Sequence, residues 1–326
     1  MTVYYKIFLT IIATGIIALT SCFERNDMYD FAKNGVKVIY ALNSYTTNAY
    51  IATEDDLVRN ISITTSISGT PLGSFPLNGK LIAMEYATDL YFHSYDRSSW
   101  SSIINAVGGT PGGIFFMDNK IYYTNSSTIY YYDGESCQTL PSYTPPPSSI
   151  LSMTGYNNEI YILGFDNLTY KYNNSGSCVD TNTGSVSTIS SLVCFIISDG
   201  TMYAGQDTKF DYGVLGAGMT TTVSSLSGIQ SYAIYNKSAI YAAGHDGSTK
   251  FEIMKFNGTN AFTTFKQIAD TAGTMVIKTL SETKLAVGIS GSVSHDGLYV
   301  LDTETGKMKT LTTDSIVTIN VFDNLY

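Results

Sequence analysis

A short sequence pattern returns about every 40 residues along most of this chain: an Asn- or Asp-containing turn followed by an aliphatic and aromatic strand. Marker residues at the same place of each copy, starting with Ile39, fall at 39, 82, 122, 161, 203, 241, 286 and 326, so the steps are 43, 40, 39, 42, 38, 45 and 40 residues. Even spacing over seven steps indicates a tandem structural repeat. The clearest copies are 78–82 (NGKLI), 118–122 (DNKIY), 157–161 (NNEIY), 199–203 (DGTMY) and 236–241 (NKSAIY).

Each copy is predicted to contain four short strands. Asn-Gly and Asp-Asn pairs between apolar runs favour two-residue hairpin turns, because both tolerate the positive φ angles that such turns need. In the third copy the strands, which we call a, b, c and d, are predicted at 113–117, 120–125, 128–133 and 137–140. Four strands in every 40 or so residues are typical of a β-propeller blade. The fold class is therefore all-β, and 26 Tyr residues contribute to its strand-forming composition.

The two ends of the repeat region predict how the ring closes. The first copy begins at a b-like strand, 36–43, with strands c and d near 48–54 and 58–64 and no strand a before them. The last copy supplies one strand a at 315–322 and then stops. Pairing this C-terminal strand with the N-terminal blade removes two open sheet edges, which would otherwise template aggregation. We therefore predict a seven-bladed β-propeller of four-stranded blades.

The repeat resembles the broad group of bacterial propellers built on an Asn/Asp turn, an aliphatic residue and Tyr. Better-marked families are not matched, since a single tryptophan, Trp100, argues against WD-type and tryptophan-docked quinoprotein blades. Two irregular stretches are predicted within the ring: a Pro-rich link between blades 3 and 4 at 141–149, and a polar excursion at the edge of blade 4 at 179–188. The resemblance implies the fold and leaves the activity open.

The N-terminus carries an export signal. One lysine, Lys6, precedes an uncharged apolar segment at 7–19, which is too short to span a bilayer and has the length of a secretory h-region. The run 19–22 (LTSC) resembles the lipobox of bacterial lipoproteins. The resemblance implies that Cys22 is acylated, for instance with palmitate, and becomes the new N-terminus. Such a lipid anchor holds a protein to a membrane without spanning it.

The predicted domains are accordingly a signal peptide at 1–21, a lipid-anchored tether at 22–35 and the β-propeller at 36–326. Phe23 follows the lipobox cysteine where an Asp would resemble the inner-membrane retention signal of enteric bacteria. The expected location is therefore the bacterial cell envelope, at the outer membrane, on its periplasmic face or at the cell surface.

Charge narrows the possible partners. Removal of 1–21 takes away one of 18 basic residues, so 17 basic and 27 acidic residues leave a formal charge of 17 − 27 = −10. An acidic chain is a poor nucleic-acid binder, because that affinity comes largely from Lys and Arg on phosphates. No cofactor or metal is predicted, since the remaining Cys and His residues have no zinc spacing and form no disulfide framework.

A second pattern follows strand b and marks candidate ligand-binding residues. Copies four to six read GFDN at 164–167, GQDT at 205–208 and GHDG at 244–247, and copy seven has SHDG at 294–297. In a propeller the b–c loops and d–a connections share one face, which usually holds the ligand. Carboxylate oxygens there suit a cation or a polar ligand, whereas the competing interpretation is that Asp and Gly only serve the turns. The candidates are Asp166, Asp207, His245, Asp246, His295 and Asp296.

Other conspicuous side chains are expected to be structural. The recurrent Tyr of strand b is predicted to pack between blades rather than to stack on carbohydrate. His93 lies on a predicted strand and is expected in packing or at the surface.

The predicted function is a lipid-anchored extracytoplasmic binding or scaffold protein that engages a protein or glycan partner through a propeller face. No nucleophile–base pair is evident in the sequence, so no catalytic residue is assigned and the chain is expected not to be an enzyme. The alternative is a propeller enzyme acting on polysaccharide or peptidoglycan, for which the His-Asp-Gly loops are the only candidates.

Overall fold

The computed structural model describes residues 37–63, 69–87, 89–96, 99–105, 111–125, 128–140, 149–173, 175–176, 178–185, 189, 191–245 and 249–322. All 28 regular elements in these ranges are β-strands, and they form seven sheets of four strands. Across the same ranges there is no helix of sufficient length and hydropathy to cross a bilayer. The signal peptide, Cys22 and the tether lie outside the described residues.

The strands are numbered in chain order and grouped here by blade, each from strand a to strand d. Blade 1 is β28 (Ile316–Phe322), β1 (Val38–Asn43), β2 (Asn48–Ala52) and β3 (Leu57–Ser62); blade 2 is β4 (Thr70–Leu77), β5 (Lys80–Tyr86), β6 (Leu90–Tyr95) and β7 (Trp100–Asn105); blade 3 is β8 (Pro111–Met117), β9 (Lys120–Asn125), β10 (Thr128–Tyr132) and β11 (Cys137–Thr139); blade 4 is β12 (Ile150–Tyr156), β13 (Glu159–Gly164), β14 (Leu168–Asn173) and β15 (Cys178–Ser185). Blade 5 is β16 (Leu192–Ser198), β17 (Thr201–Gln206), β18 (Phe210–Val214) and β19 (Thr221–Val223); blade 6 is β20 (Ile229–Asn236), β21 (Ala239–His245), β22 (Lys250–Phe256) and β23 (Phe262–Ala269); blade 7 is β24 (Thr274–Ser281), β25 (Lys284–Ser290), β26 (Gly297–Asp302) and β27 (Met308–Thr312).

The seven blades form a ring, so the predicted seven-bladed β-propeller is confirmed. Within blades 2 to 7 consecutive strands pair antiparallel in the order a-b-c-d. Strands a of successive blades, β8, β12, β16, β20 and β24, contact one another along the inside of the ring. This alternation places all b–c loops and d–a connections at one end of the blades, which we call the b–c face, and all a–b turns and c–d loops at the other, the a–b face.

Blade 1 is composite, as the ends of the repeat predicted. Its sheet order is β28-β1-β2-β3, so the last strand of the chain is strand a of the first blade. The backbone N–H of Ser44, just after β1, donates to the carbonyl of Ser315, just before β28, at 3.0 Å. Residues 39–321 form one compact unit; the second unit comprises 1–38 and 322–326, of which residues 37, 38 and 322 are described.

Positive φ angles at the a–b turns explain the repeat that the sequence displays. Asn78 and Gly79 have φ of 50° and 71°, and Asp118 and Asn119 have 51° and 53°. The turns at 157–158 and 199–200 show the same left-handed pairs. Two successive residues in this region make the hairpin turn whose twist matches the strands. Asn, Asp and Gly tolerate this conformation best, so they return once in each of these blades.

The core lies between blades. Buried clusters join blades 3 and 4, 4 and 5, 5 and 6, 6 and 7, and 7 and 1. The recurrent strand-b tyrosines belong to these clusters and are at most 2% exposed, which confirms that they pack between blades: Tyr122, Tyr161, Tyr203 and Tyr241. Their large rings fill the space between adjacent twisted sheets.

One irregular stretch differs from its prediction. Most of the polar segment 179–188 was expected to leave the sheet, but residues 178–185 form β15, strand d of blade 4. β15 pairs with β14 through two register irregularities. The sequence of this outermost strand, CVDTNTGS, lacks the apolar pattern that marks the inner strands, so hydrophobic pattern alone did not reveal it. The central residues of the Pro-rich link, 141–148, lie outside the described residues.

Candidate functional site

The candidate residues lie around the b–c face. Asp166 and Asp207 follow β13 and β17, and His295 and Asp296 lie in the loop after β25. His245 is the last residue of β21. Asp246 lies outside the described residues. The sheet topology therefore puts the described candidates at the same end of blades 4 to 7.

Asp166 is used by its own hairpin. One carboxylate oxygen accepts the backbone N–H of Leu168 at 3.1 Å, and the other accepts the hydroxyl of Tyr170. The first bond closes a short side-chain-to-backbone turn, which is the role in which Asp is common at hairpins. The hydrogen bond to Leu168 is thus one of turn chemistry, and the bond from Tyr170 stays within the same hairpin.

Asp207 connects blades 5 and 6 through its backbone. Its N–H donates to the carbonyl of Ser191, ahead of blade 5, and its carbonyl accepts the N–H of Ile229, at the start of blade 6, both at 3.1 Å. Oδ1 of its carboxylate is buried and has no hydrogen-bond partner among the described residues. Asp207 therefore helps to hold the blades together, and its Oδ1 atom remains a buried acceptor without a donor among the described residues.

The two candidate histidines meet at a third residue, Asp270. Asp270 directly follows β23 in the d–a connection between blades 6 and 7. Nε2 of His245, on blade 6, lies 3.3 Å from the Asp270 carbonyl oxygen. Nδ1 of His295, on blade 7, lies 3.0 Å from Asp270 Oδ2. The Asp270 side chain is fully buried, whereas 40% of the His295 side chain is exposed.

The carboxylate of Asp270 organises the b–c loop of blade 7. Hydrogen bonds from the Ser292 hydroxyl and from His295, with further backbone bonds, hold its pKa well below the ordinary range. The group therefore stays ionised at neutral pH, with loop residues 292–295 wrapped around it. Its donors, besides His295, are the hydroxyls of Ser292 and Ser294 and the backbone N–H groups of Thr271, Ala272, Val293 and Ser294.

The cluster contains Ser, His and Asp but is not arranged as a relay. Ser294 Oγ lies 2.9 Å from His295 Nδ1, the same ring nitrogen that faces Asp270. A nucleophilic triad needs the serine and the aspartate on opposite nitrogens of the imidazole. The geometry therefore orients the His295 ring and shapes the loop without activating Ser294. Nor do the described residues contain any group of three His, Cys, Asp or Glu side chains placed to hold one metal ion.

Sequence reasoning missed Asp270. It follows strand d in the segment ADTAG at 269–273, whereas the recurring Gly-x-Asp pattern follows strand b. Its partners Ser292 and His295 are 22 and 25 residues further along the chain. Only the rule that a d–a connection lies beside the next b–c loop would have pointed to it.

Exposed apolar side chains distinguish the b–c face. Among the described residues, Tyr45, Phe165 and Val293 are 70%, 64% and 74% exposed, and all three stand in b–c loops, of blades 1, 4 and 7. Val214 and Tyr235 are also large, exposed hydrophobic side chains, but they lie near the a–b face and are less exposed. Val293 is carried by the loop that Asp270 organises.

Comparison with known proteins supports the fold and nothing finer. No protein-family model matches the chain, and no curated protein matches it. The computationally designed Ika8 protein is similar in structure, with a TM-score of 0.53 and 12% identity over 88% of this chain and 87% of that one. The WD40 β-propeller domain of Doa1 is similar with a TM-score of 0.50 and 12% identity, over 73% of this chain and 80% of that one. At this identity the likeness is one of fold alone.

Proposed function

We propose that this chain is a lipid-anchored binding or scaffold protein of the bacterial cell envelope, which engages a protein or glycan partner through the b–c face of its propeller. The anchor part rests on the lipobox-like run that ends at Cys22. The binding part is carried by one observation, the concentration of the most exposed apolar side chains in b–c loops.

Single exposed hydrophobic residues are normal on protein surfaces. The proposal therefore depends on the shared position of Tyr45, Phe165 and Val293 rather than on their number. Aromatic side chains such as Tyr and Phe are enriched at protein interfaces, and two of these three exposed residues are aromatic. Asp270 contributes by fixing the loop of Val293, so that less loop entropy is lost when a partner binds.

Site-specific photo-crosslinking in the producing cell tests the proposal. A benzophenone amino acid placed at Tyr45, Phe165 or Val293 is expected to give the same adduct from all three positions. The same group at Val214 or Tyr235, near the opposite face, serves as the matched control and should give none. Protease and glycosidase digestion of the adduct distinguishes a protein partner from a glycan. Adducts confined to the control positions, or absent from all five, would contradict binding through the b–c face.

A further inference from the structure

A cleft between blades 5 and 6 opens at the a–b face, away from the b–c loops that carry the candidate site. Its volume is about 230 Å³. An apolar cavity of about 150 Å³ already accepts one benzene, so the cleft has room for a two-ring molecule. Its walls come from β17 and β18 on one side and from β21, the end of β22 and the a–b turn of blade 6 on the other.

The cleft is aromatic on the inside. Tyr203 stacks on Tyr212 with ring centroids 6.5 Å apart, and Tyr212 meets Phe256 edge to face at 5.5 Å. Ile240 and Val214 complete the apolar lining. The Tyr212 hydroxyl donates to the carbonyl of Thr259 at 2.9 Å, which ties the two blades together beside the opening. Such rings favour a flat apolar body, because aromatic pairs add to the area they bury.

Two polar groups border this apolar space. Thr201 Oγ1 is buried and makes no well-aligned hydrogen bond to the described residues. Its polar neighbour is the Tyr203 phenol, whose pKa burial raises and the Thr201 side chain lowers.

The positive charge of Lys237 favours a ligand that carries a negative group. Lys237, in the a–b turn of blade 6, lines the cleft with an exposed ammonium group that has no ion pair among the described residues. The chain as a whole carries a formal charge of −9. Lys237 is therefore a positive charge on an acidic protein, and it lies beside an aromatic cleft. Asp199, in the a–b turn of blade 5, acts on the same region, because its charge contributes to the raised pKa of Tyr203.

We infer that this cleft binds a small aromatic carboxylate, with its ring packed against the Tyr212 and Phe256 side chains that line the cleft and its carboxylate toward Lys237. This site is separate from the proposed partner-binding face and does not depend on it. A ligand of two fused rings and one short acid side chain matches both the volume and the charge. At this size the expected Kd lies at roughly 0.1–1 mM.

Calorimetric titration of the full-length chain with indole-3-acetate and its neutral analogue indole-3-acetamide tests the inference. The acid should bind more tightly than the amide. Lys237→Gln should weaken binding of the acid about fivefold, as expected for an exposed ion pair, and leave the amide unchanged. Asp199→Asn should strengthen binding of the acid, because it removes a repelling charge while keeping a residue suited to the positive φ of that turn.

Lys307→Gln, an exposed lysine of blade 7, is the matched control and should leave both affinities unchanged. Thermal melting of each variant confirms that it is folded. Failure of both ligands to saturate at concentrations about tenfold above the expected Kd would overturn the inference. An affinity for the acid that is equal in wild type and Lys237→Gln would overturn it as well.

Discussion

Replacing His93 by leucine is expected to destabilise the propeller by about 3–5 kcal/mol at pH 7. His93 lies on β6 and Glu85 on the adjacent β5, and both side chains are completely buried. His93 is opposite Ala83 and Glu85 is opposite Tyr91, so the two are diagonal neighbours on one face of blade 2. Nε2 of His93 lies 3.2 Å from Oε1 of Glu85. Of the two places expected for His93 from the sequence, packing or the surface, the structure shows the first, because the side chain is fully buried.

The magnitude follows from the buried Glu85 side chain, which loses its partner when His93 becomes leucine. The contact between His93 and Glu85 is close, but the two atoms are not aligned as a hydrogen bond. The second carboxylate oxygen accepts only a long bond, 3.4 Å, from the backbone N–H of Gly69 among the described residues. Leucine roughly conserves volume, so little of the loss comes from a cavity. The cost is that of a buried carboxylate without its partner.

Replacing both residues by leucine removes the stranded charge together with its partner. The double variant is expected within about 1 kcal/mol of wild type or above it, since buried ion pairs often match well-packed apolar residues in stability.

Urea unfolding of wild type, His93→Leu and His93→Leu/Glu85→Leu measures these differences as a double-mutant cycle. With a slope of about 3 kcal/mol per molar urea, the single variant should lose at least about 1 M in midpoint. A single variant within about 1 kcal/mol of wild type, or a double variant no more stable than the single one, would refute the reasoning.

Four further outcomes are expected. Cys22→Ser should abolish incorporation of labelled palmitate and release the protein from membranes, and a wild type that takes up no label would contradict the anchor. Deleting 316–326 should expose the edge of β1, cost several kcal/mol and raise light scattering on heating, so unchanged melting would contradict closure. Asp270→Asn should lower the melting temperature at pH 7. Because the folded pKa of Asp270 lies below its unfolded value, the aspartate stabilises the fold above about pH 4, and the difference in melting temperature between wild type and variant should narrow as the pH falls further. A difference that stays the same at every pH would count against this role. Gly205→Ala should cost about 1–3 kcal/mol by thermal unfolding, since its new carbon would lie 2.4 Å from the Tyr232 ring; a neutral effect would mean that the ring moves freely.

The propeller was predictable because its rules are local. In blades 2 to 5 the a–b turn has two successive residues with positive φ, and pairs such as Asn78-Gly79 and Asp118-Asn119 provide them. The strand that follows presents a tyrosine to the neighbouring blade, so turn and ring recur together at the spacing of a blade. The missing strand at each end then indicated the composite blade.

The candidate site was predictable only in part because its contacts are not local. The pattern after strand b led to His245 and His295, but the residue between them, Asp270, belongs to a different connection. No repeat of Asp270 marks it in the sequence, since its partners are the serines and backbone of a single loop. The cleft between blades 5 and 6 depends on how two separate sheets pack, and short motifs carry no information about that distance.

The composite first blade sets an order of events for folding. Tyr50 hydrogen-bonds Asp314, 264 residues further along the chain, and Lys284 pairs with Glu54 at 2.9 Å. Because a chain is made from its N-terminus, the edge of β1 stays unpaired until β28, the last strand of the propeller, has been synthesised. Contacts of such high sequence separation slow folding and prolong exposure of that edge. β28, the strand that closes the ring, is therefore also the strand whose late synthesis leaves the nascent protein most dependent on chaperones.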